Sequence, residues 1–464
     1  MKKGCSIVEK STRSCSNGSI PSAGYYRPLQ YLGSKTRSIN TIVSECSRLY
    51  HKGSFTFDMF SGSSIVSQAL NSKGQRIISN DILSFCSDIA TCMLNVKRGG
   101  ITKADVEKYM SFVLNYKISD NYFTPFRAYI DQENRYIKSQ DLAGLKQTYE
   151  GIPQVWKLDC QNNCNQSNYI ENHYGEPAFG AVPLIANYYA GTYFGIKQSL
   201  ELDSLRNGIE KVFEENGHIW LKALFLTALY NVMSLIVHSA GKHFAQPISM
   251  SDTNPIKVTN KRLFENRSLD VGLLFKECVN SILSSTSVNT VCNKENIVLN
   301  EDITSTSIVQ SIKDIPVSVV YADPPYTAQQ YSRFYHIPEI VHSYCYPQLQ
   351  IFKGQVTNGI YPTNKYKSPF CTKTQAYLAF TKIFEIVRIK GASLVLSYSE
   401  SKNSNTGNER MISLSDIMNI AKDYLPNYSI NKIDFDFNYR QLNSKKKVVQ
   451  EKEDKEILIV FESV

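Results

Sequence analysis

Residues 318–336 read SVVYADPPYTAQQYSRFYH, and the character of the chain changes halfway through. Val317 to Ala322 is a continuous, β-branched apolar run of strand length, the pattern of a strand buried on both faces of a parallel sheet. Pro324 and Pro325 have no backbone N–H to donate, so the strand must end at Asp323. In open α/β sheets ligands sit just outside the carboxyl ends of strands, and Asp323 to Tyr326 falls at such a place. The local polar groups of this turn are all acceptors: the Asp323 carboxylate and the backbone carbonyls. A flat group with an exocyclic NH2 satisfies them by donating one hydrogen to Asp323 and the other to the Pro324 carbonyl, while Tyr326 offers a ring face for stacking. A nucleobase amine has that shape. Pulling on both N–H groups also favours a pyramidal nitrogen whose lone pair can attack a methyl carbon, so positioning and electrostatics carry most of such a reaction.

Strand signals lie on both sides of this turn. FTFDMFSGSSIVSQAL, from Phe55, reads as a strand, a turn of small residues and a helix, and QRIISNDILSFCSDIATCML repeats the grammar from Gln75. Strand and helix alternating at this spacing predict parallel βαβ units. After Gly99 and Gly100 the pattern gives way for about two hundred residues to polar, Tyr-rich and helical sequence. It resumes with NIVLNEDI (296–303), the run ending in Asp323, a helix around Tyr377 to Val387, and ASLVLSYSE (392–400). Two final strands, the second EILIVFE, predict a hairpin at the sheet edge. The expected fold is therefore α/β: a Rossmann-like sheet with a C-terminal β-hairpin and a largely helical insertion.

The chain has 464 residues, room for a large catalytic domain and a second unit. Its charge of +9 is a modest basic excess, compatible with a polyanionic partner and equally with plain solubility. The 11 cysteines are scattered and not spaced as a disulfide framework, which suits reduced thiols in the cytoplasm. Residues 1–24 lack an apolar core of signal-peptide length and read as a flexible leader. The most apolar stretch, from Trp220, carries Lys222, Asn231 and His238 and reads as a buried helix, not a membrane span. Cys160, Cys164 and His173 lack a fourth ligand at motif spacing, so no metal is expected.

The turn Asp58 to Ser64 has small residues between strand and helix, as close approach to a nucleotide or nucleoside requires. It is not G-x-G-x-x-G, and no lysine follows at P-loop spacing, which disfavours NAD and ATP. Asp81, at the end of the next strand, suits either a ribose hydroxyl pair or a helix N-cap.

Four elements in order, YLGSK (31–35), FDMFSG (57–62), SNDI (79–82) and ADPPY (322–326), resemble the D12-class adenine-N6 DNA methyltransferases. The later YSRFYHIPEIV, YKSPFCTKTQAYLAFTKIF and SLVLSYSESK are similar to further elements of that group. The resemblance implies S-adenosylmethionine as cofactor, double-stranded DNA as partner and no metal. The usual setting of the group is restriction-modification, where a cognate restriction endonuclease can be encoded separately, and an orphan or phage enzyme is equally consistent with the chain. Tyr31, Gly33, Ser34 and Lys35 would hold the methionine end, with Asp58, Phe60, Ser61 and Gly62 beside the amino acid and ribose. Asp81 would take the ribose hydroxyls, Ile82 would pack on the cofactor's adenine, and Asp302, with Glu301 as rival, would accept its amine. Asp323, Pro324, Pro325 and Tyr326 would receive the target adenine. Ser64 stands where the family turn has a second glycine, and Thr327 and Gln329 stand where it has Asn and Arg.

On this reading residues 25–98 and 295–464 form the catalytic domain and 99–294 the target-recognition insertion. A duplex base must be flipped to reach a strand-end pocket, and Tyr331, Arg333, Tyr335 and His336 are placed in sequence to fill the gap or clamp phosphates. Lys242 and His243 are either DNA contacts or a helix C-cap. Lys365 and Lys367, interleaved with tyrosines, suit backbone neutralisation with stacking or a solvated basic loop. Lys445 to Lys447 are read as a charged turn. RNA adenine or cytosine-N4 methylation and an inactive DNA-binding protein of the same fold are the alternative readings.

Overall fold

The computed structural model describes residues 25–156, 183–250, 257–288, 295–399, 409–438 and 455–463. The leader, Cys160, Cys164 and His173, and Lys445 to Lys447 lie outside the described residues.

The run Val317–Ala322 is a strand, β4, buried at every position. With β1 (Phe55–Asp58), β2 (Arg76–Asn80), β3 (Ile297–Leu299), β7 (Ser393–Ser399), β8 (Tyr428–Asn438) and β9 (Lys455–Ser463) it forms a seven-stranded sheet in the order β3-β2-β1-β4-β7-β9-β8. The first five strands in that order are parallel. β9 runs antiparallel to both β7 and β8. The mixed α/β fold expected from the strand grammar is thus present.

Period-2 alternation divides the sheet's side chains between two helical layers. On one face Phe57, Val320, Leu394, Leu396, Ile457 and Ile459 pack with the helices Lys373–Lys390 and Leu414–Tyr424. On the other, Ile77, Val319, Tyr321, Val395, Leu458 and Val460 pack with Ile39–Leu49 and Ile65–Ser72. β9 is apolar on both faces because it lies inside the sheet. The terminal hairpin is not simply appended at the edge: its first strand, β8, occupies the edge, and the last strand of the chain enters between β7 and β8. Ile457 to Phe461 are each at most 2 % exposed, whereas Ile430 on β8 is 43 % exposed.

The long insertion is helical among its described residues. Its helix Ile219–Ile236 is apolar all round and almost wholly buried, as suits the centre of a large core. By length and composition this helix could cross a membrane, but 83 % of it is buried within the protein. It packs beside Ser84–Met93, the helix after β2, and Trp220 donates its indole N–H to the Cys92 carbonyl at 3.2 Å. One continuous core therefore crosses the expected boundary between residues 98 and 99.

Candidate active site

After β1 the chain turns towards β2 on one side, and β4 lies on the other, so the sheet's order reverses between β1 and β4. A crevice opens beyond the carboxyl ends of the strands at such a point. Here it is a cleft enclosing about 930 Å³, open mouth included, and every residue expected to hold the cofactor lines it, from Tyr31 and Lys35 to Asp81, Asp302 and Asp323.

The turn after β1 is held by the end of β2. Asp81 Oδ2 accepts the Gly62 N–H at 2.9 Å, and Oδ1 accepts the Leu83 N–H at 3.0 Å, so one carboxylate fixes both the turn and the entry to the next helix. Gly62 has φ +49°, and a Cβ there would lie 2.6 Å from Tyr31 Cε1. Only glycine lets the ring of Tyr31 rest on this turn. Ser64 is also left-handed, at φ 58°, a conformation in which glycine would be unstrained. Asp58 Oδ2 accepts from Ser67 Oγ at 2.6 Å. Its Oδ1, and Ser61 Oγ, are buried with no hydrogen-bond partner among the described residues. Burial pushes the Asp58 carboxyl up to about 7 against the pull of the Ser67 hydrogen bond. Burial likewise raises Asp81 to about 6, opposed by the N–H groups of Leu83 and Gly62.

Asp323 and Pro325 line the cleft. Pro324 and Tyr326 are buried behind them. Lys35 Nζ lies 3.0 Å from Asp323 Oδ1 and 2.5 Å from Glu456 Oε1. Burial works against the lysine's charge, but Asp323, Tyr326 and Glu456 outweigh it and hold Lys35 well above the ordinary lysine value. Burial raises Asp323 to about 6; Lys35 pulls it down and Glu456 pushes it further up. Tyr326 packs 5.2 Å from the ring of Tyr398 and lies under the Arg410 guanidinium at 5.3 Å. Arg410 is itself tied to Ser399 through Nε to the carbonyl at 2.6 Å and a second contact to Oγ at 2.8 Å.

Asp302 and its rival Glu301 both reach the cleft. Asp302 accepts from Thr304 on Oδ1 and from the Tyr366 hydroxyl on Oδ2 at 2.8 Å. Glu301 accepts from Ser311 Oγ.

The residues expected to face DNA divide by burial. Arg333 and Lys367 are exposed, while Tyr331, Lys242 and Lys365 are half-buried. Tyr335 is fully buried: its ring stacks on Tyr31 at 4.8 Å, and its hydroxyl accepts from the Leu32 N–H and donates to the Gln30 carbonyl. Tyr331 donates to the Leu32 carbonyl at 3.3 Å, and a Cβ on Gly33 would lie 2.9 Å from its hydroxyl oxygen. These two tyrosines clamp the YLGSK segment. Burial lowers His336 to about 3 and His243 to about 4, so both are neutral at ordinary pH and bring no charge to a phosphate. The packing gives Tyr335, His336 and His243 places in the core in place of the surface positions suggested by sequence.

Sequence reading missed Glu456, Arg410, Tyr366 and Glu339. Glu339 caps the helix Ser84–Met93, accepting the N–H groups of Ser84 and Phe85 at 3.0 and 3.3 Å. Nothing local marks Arg410, Tyr366 or Glu339 as part of the site. One weak signal existed for Glu456, an acid opening an otherwise apolar strand. No cluster of three or more metal-ligating side chains occurs among the described residues.

Fold and cleft define a mixed α/β protein with a ligand crevice at the switch point of a mainly parallel sheet. Residues 31–152 match the family model of the D12 class N6 adenine-specific DNA methyltransferases, which meets the resemblance carried by the motifs. The chain is also 21 % identical over 395 residues, 85 % of its length, to modification methylase LlaI of Lactococcus lactis subsp. lactis. It is 26 % identical over 239 residues, 50 % of its length, to modification methylase StsI of Streptococcus sanguinis. These alignments span 48 % and 29 % of the relatives, so the chain covers about half or less of the curated proteins it matches.

Proposed function

We propose that this protein is a DNA methyltransferase that modifies the exocyclic N6 of a flipped adenine at a specific double-stranded sequence, as the modification part of a restriction-modification system in the cytoplasm. The observation that carries the reading is the acceptor turn at Asp323, which opens on the same cleft as the Gly62 turn and Asp81. The family match and the modification methylases support it. On this reading residues 25–98 and 295–464 are the catalytic domain and residues 99–294 choose the target.

The residues present fit S-adenosylmethionine. The unpartnered Asp58 Oδ1 and Ser61 Oγ call for a ligand bearing donors such as an ammonium or hydroxyls, and Asp81 stands beside them. Tyr31, Gly33, Ser34 and Lys35 would close one side, Phe60 and Ile82 would supply apolar walls, and Asp302 would accept an amine. When bound, the cofactor supplies the methyl group: the N6–CH3 bond forms as the sulfonium S–CH3 bond breaks, a thioether is left, and the N6 proton passes to water. Asp323 would orient the adenine amine and, by accepting its N–H, raise the electron density on N6, with Lys35 keeping the carboxylate ionised. Tyr326, wedged between Tyr398 and Arg410, would fix the turn.

The test is methyl transfer from labelled S-adenosylmethionine to unmethylated genomic DNA, read by modification-sensitive sequencing, with Asp323→Ala as control. N6-methyladenine at one short motif, absent with the variant, is the expected result. Transfer to RNA alone, or to cytosine N4, would replace the substrate; DNA binding without product would leave an inactive binder.

A further inference from the structure

Between Glu339 and Glu385 the chain has no carboxylate and carries Lys353, Lys365, Lys367, Lys373 and Lys382. From this segment a two-stranded hairpin projects, β5 (Ile351–Phe352) paired with β6 (Gln355–Val356). Lys353 and Gly354 make its turn with φ +52° and +76°, the two left-handed residues of a tight hairpin turn. Ile351 is 62 % exposed and Phe352 66 %, a large apolar tip with no covering element among the described residues. Neighbouring strand residues face opposite ways, so Ile351 shares the face of its partner Val356, which packs on the core, while Phe352 stands with Gln355 on the other, a bulky apolar side chain that is an aggregation liability unless it has a partner.

The hairpin is rigidly footed and joined to the cleft. The Gln350 N–H donates to the Tyr361 carbonyl at 2.7 Å, and Thr357 N–H to the Gln350 carbonyl at 3.1 Å. Arg333 Nε donates to the Tyr361 hydroxyl, and Ser368 N–H to Gln330 Oε1. Tyr366 and Ser368, at the end of this segment, line the cleft. Lys365 Nζ reaches Gln350 Oε1 at 2.8 Å, at the hairpin's foot. Its ammonium is held below the ordinary lysine value by burial first and then by the charges of Lys367 and Arg333, so three cations crowd together here. Lys353 and Lys367 have no carboxylate within ion-pair distance among the described residues. An apolar tip above a cluster of cations that lack carboxylate partners among the described residues matches a duplex, which offers a stacked apolar interior behind a polyanionic backbone.

We propose that the hairpin Ile351–Val356 is a wedge that enters the duplex beside the target base, Phe352 at the turn filling the space that the flipped adenine leaves while Lys353, Lys365, Lys367 and Arg333 hold the flanking phosphates. The inference rests on the proposed adenine methylation of double-stranded DNA. Apolar side chains inserted between base steps stabilise an unstacked duplex and offset the few kcal/mol that extruding a base costs.

The experiment uses the full chain with Phe352→Ser, and separately Lys353→Ala. The substrates are a duplex carrying the motif found in genomic DNA and the same duplex with an abasic site opposite the target adenine. The serine variant is expected to keep the wild-type melting temperature and cofactor affinity. Its kcat/KM should fall at least about tenfold on the intact duplex and recover on the abasic one, where flipping costs less. Lys353→Ala should weaken binding on both and lower the salt slope by about one. Wild-type rates for the serine variant on intact duplex, or an equal loss on both duplexes, would overturn the wedge. No transfer to DNA by the wild type would overturn the functional reading and the wedge with it, a distinguishable result.

Discussion

Lys35 is shared between two carboxylates, with Nζ 3.0 Å from Asp323 Oδ1 and 2.5 Å from Glu456 Oε1. Lys35 pulls the Asp323 carboxyl down and Glu456 pushes it up. If ionised Asp323 orients the adenine amine, kcat must fall as pH drops through about 6. Glu456→Gln should then move this acid limb to lower pH, and Lys35→Met should move it higher while lowering the plateau at least about tenfold. Profiles of kcat against pH at saturating cofactor would decide the point; shifts in the same direction would sink the electrostatic account.

Asp58, Asp81 and Asp323 all have folded-state values above the ordinary 3.8, at about 7, 6 and 6. A raised value means that protons bind the folded state more tightly than the unfolded one. Stability from these groups is present at low pH and lost as pH rises through 6 to 7. Asp58→Asn should therefore raise the melting temperature of the ligand-free protein at about pH 8 by a few degrees. The same change should weaken S-adenosylmethionine binding roughly tenfold or more. Calorimetric melting with and without cofactor separates the two effects, and a lower melting temperature would refute the burial cost assigned to the Asp58 carboxylate.

Gly62→Ala places a Cβ 2.6 Å from Tyr31 Cε1 at a residue with φ +49°. The backbone strain alone costs about 1–2 kcal/mol. Displacing Tyr31 or the turn should also reduce cofactor affinity at least about tenfold. Isothermal titration of the purified variant checks this, and wild-type affinity would show that the turn does not form the ligand site.

Ser64→Gly is expected to act in the opposite direction. Ser64 holds φ 58°, and its Oγ is buried without a partner among the described residues. Relief of left-handed strain exceeds the extra entropy glycine gains on unfolding, so stability should rise by about 1 kcal/mol. Denaturant unfolding of the two proteins measures the difference.

Much of the site was legible because its pieces are local. The two prolines after Val317–Ala322 stop the strand wherever the rest of the chain goes, and the small residues at 61 to 64 must turn before a helix can begin. Asp81 is a nearby case of incomplete legibility. Its place at a strand end could be read, but its hold on the Gly62 N–H, 19 residues away in sequence, could not.

The sequence by itself determined the strands of the large sheet, the acceptor turn and the order of the motifs, since these follow from backbone chemistry and from apolar periods of two and 3.6 residues. Tertiary structure alone decided that the final strand lies inside the sheet, which brings Glu456 to a lysine 421 residues earlier. It also decided that Tyr335 and His336 are buried supports while Ile351 and Phe352, ordinary core residues by composition, stand in solvent. The physical reason is that burial and charge pairing depend on which surfaces meet across the chain, and no spacing of neighbouring residues records that.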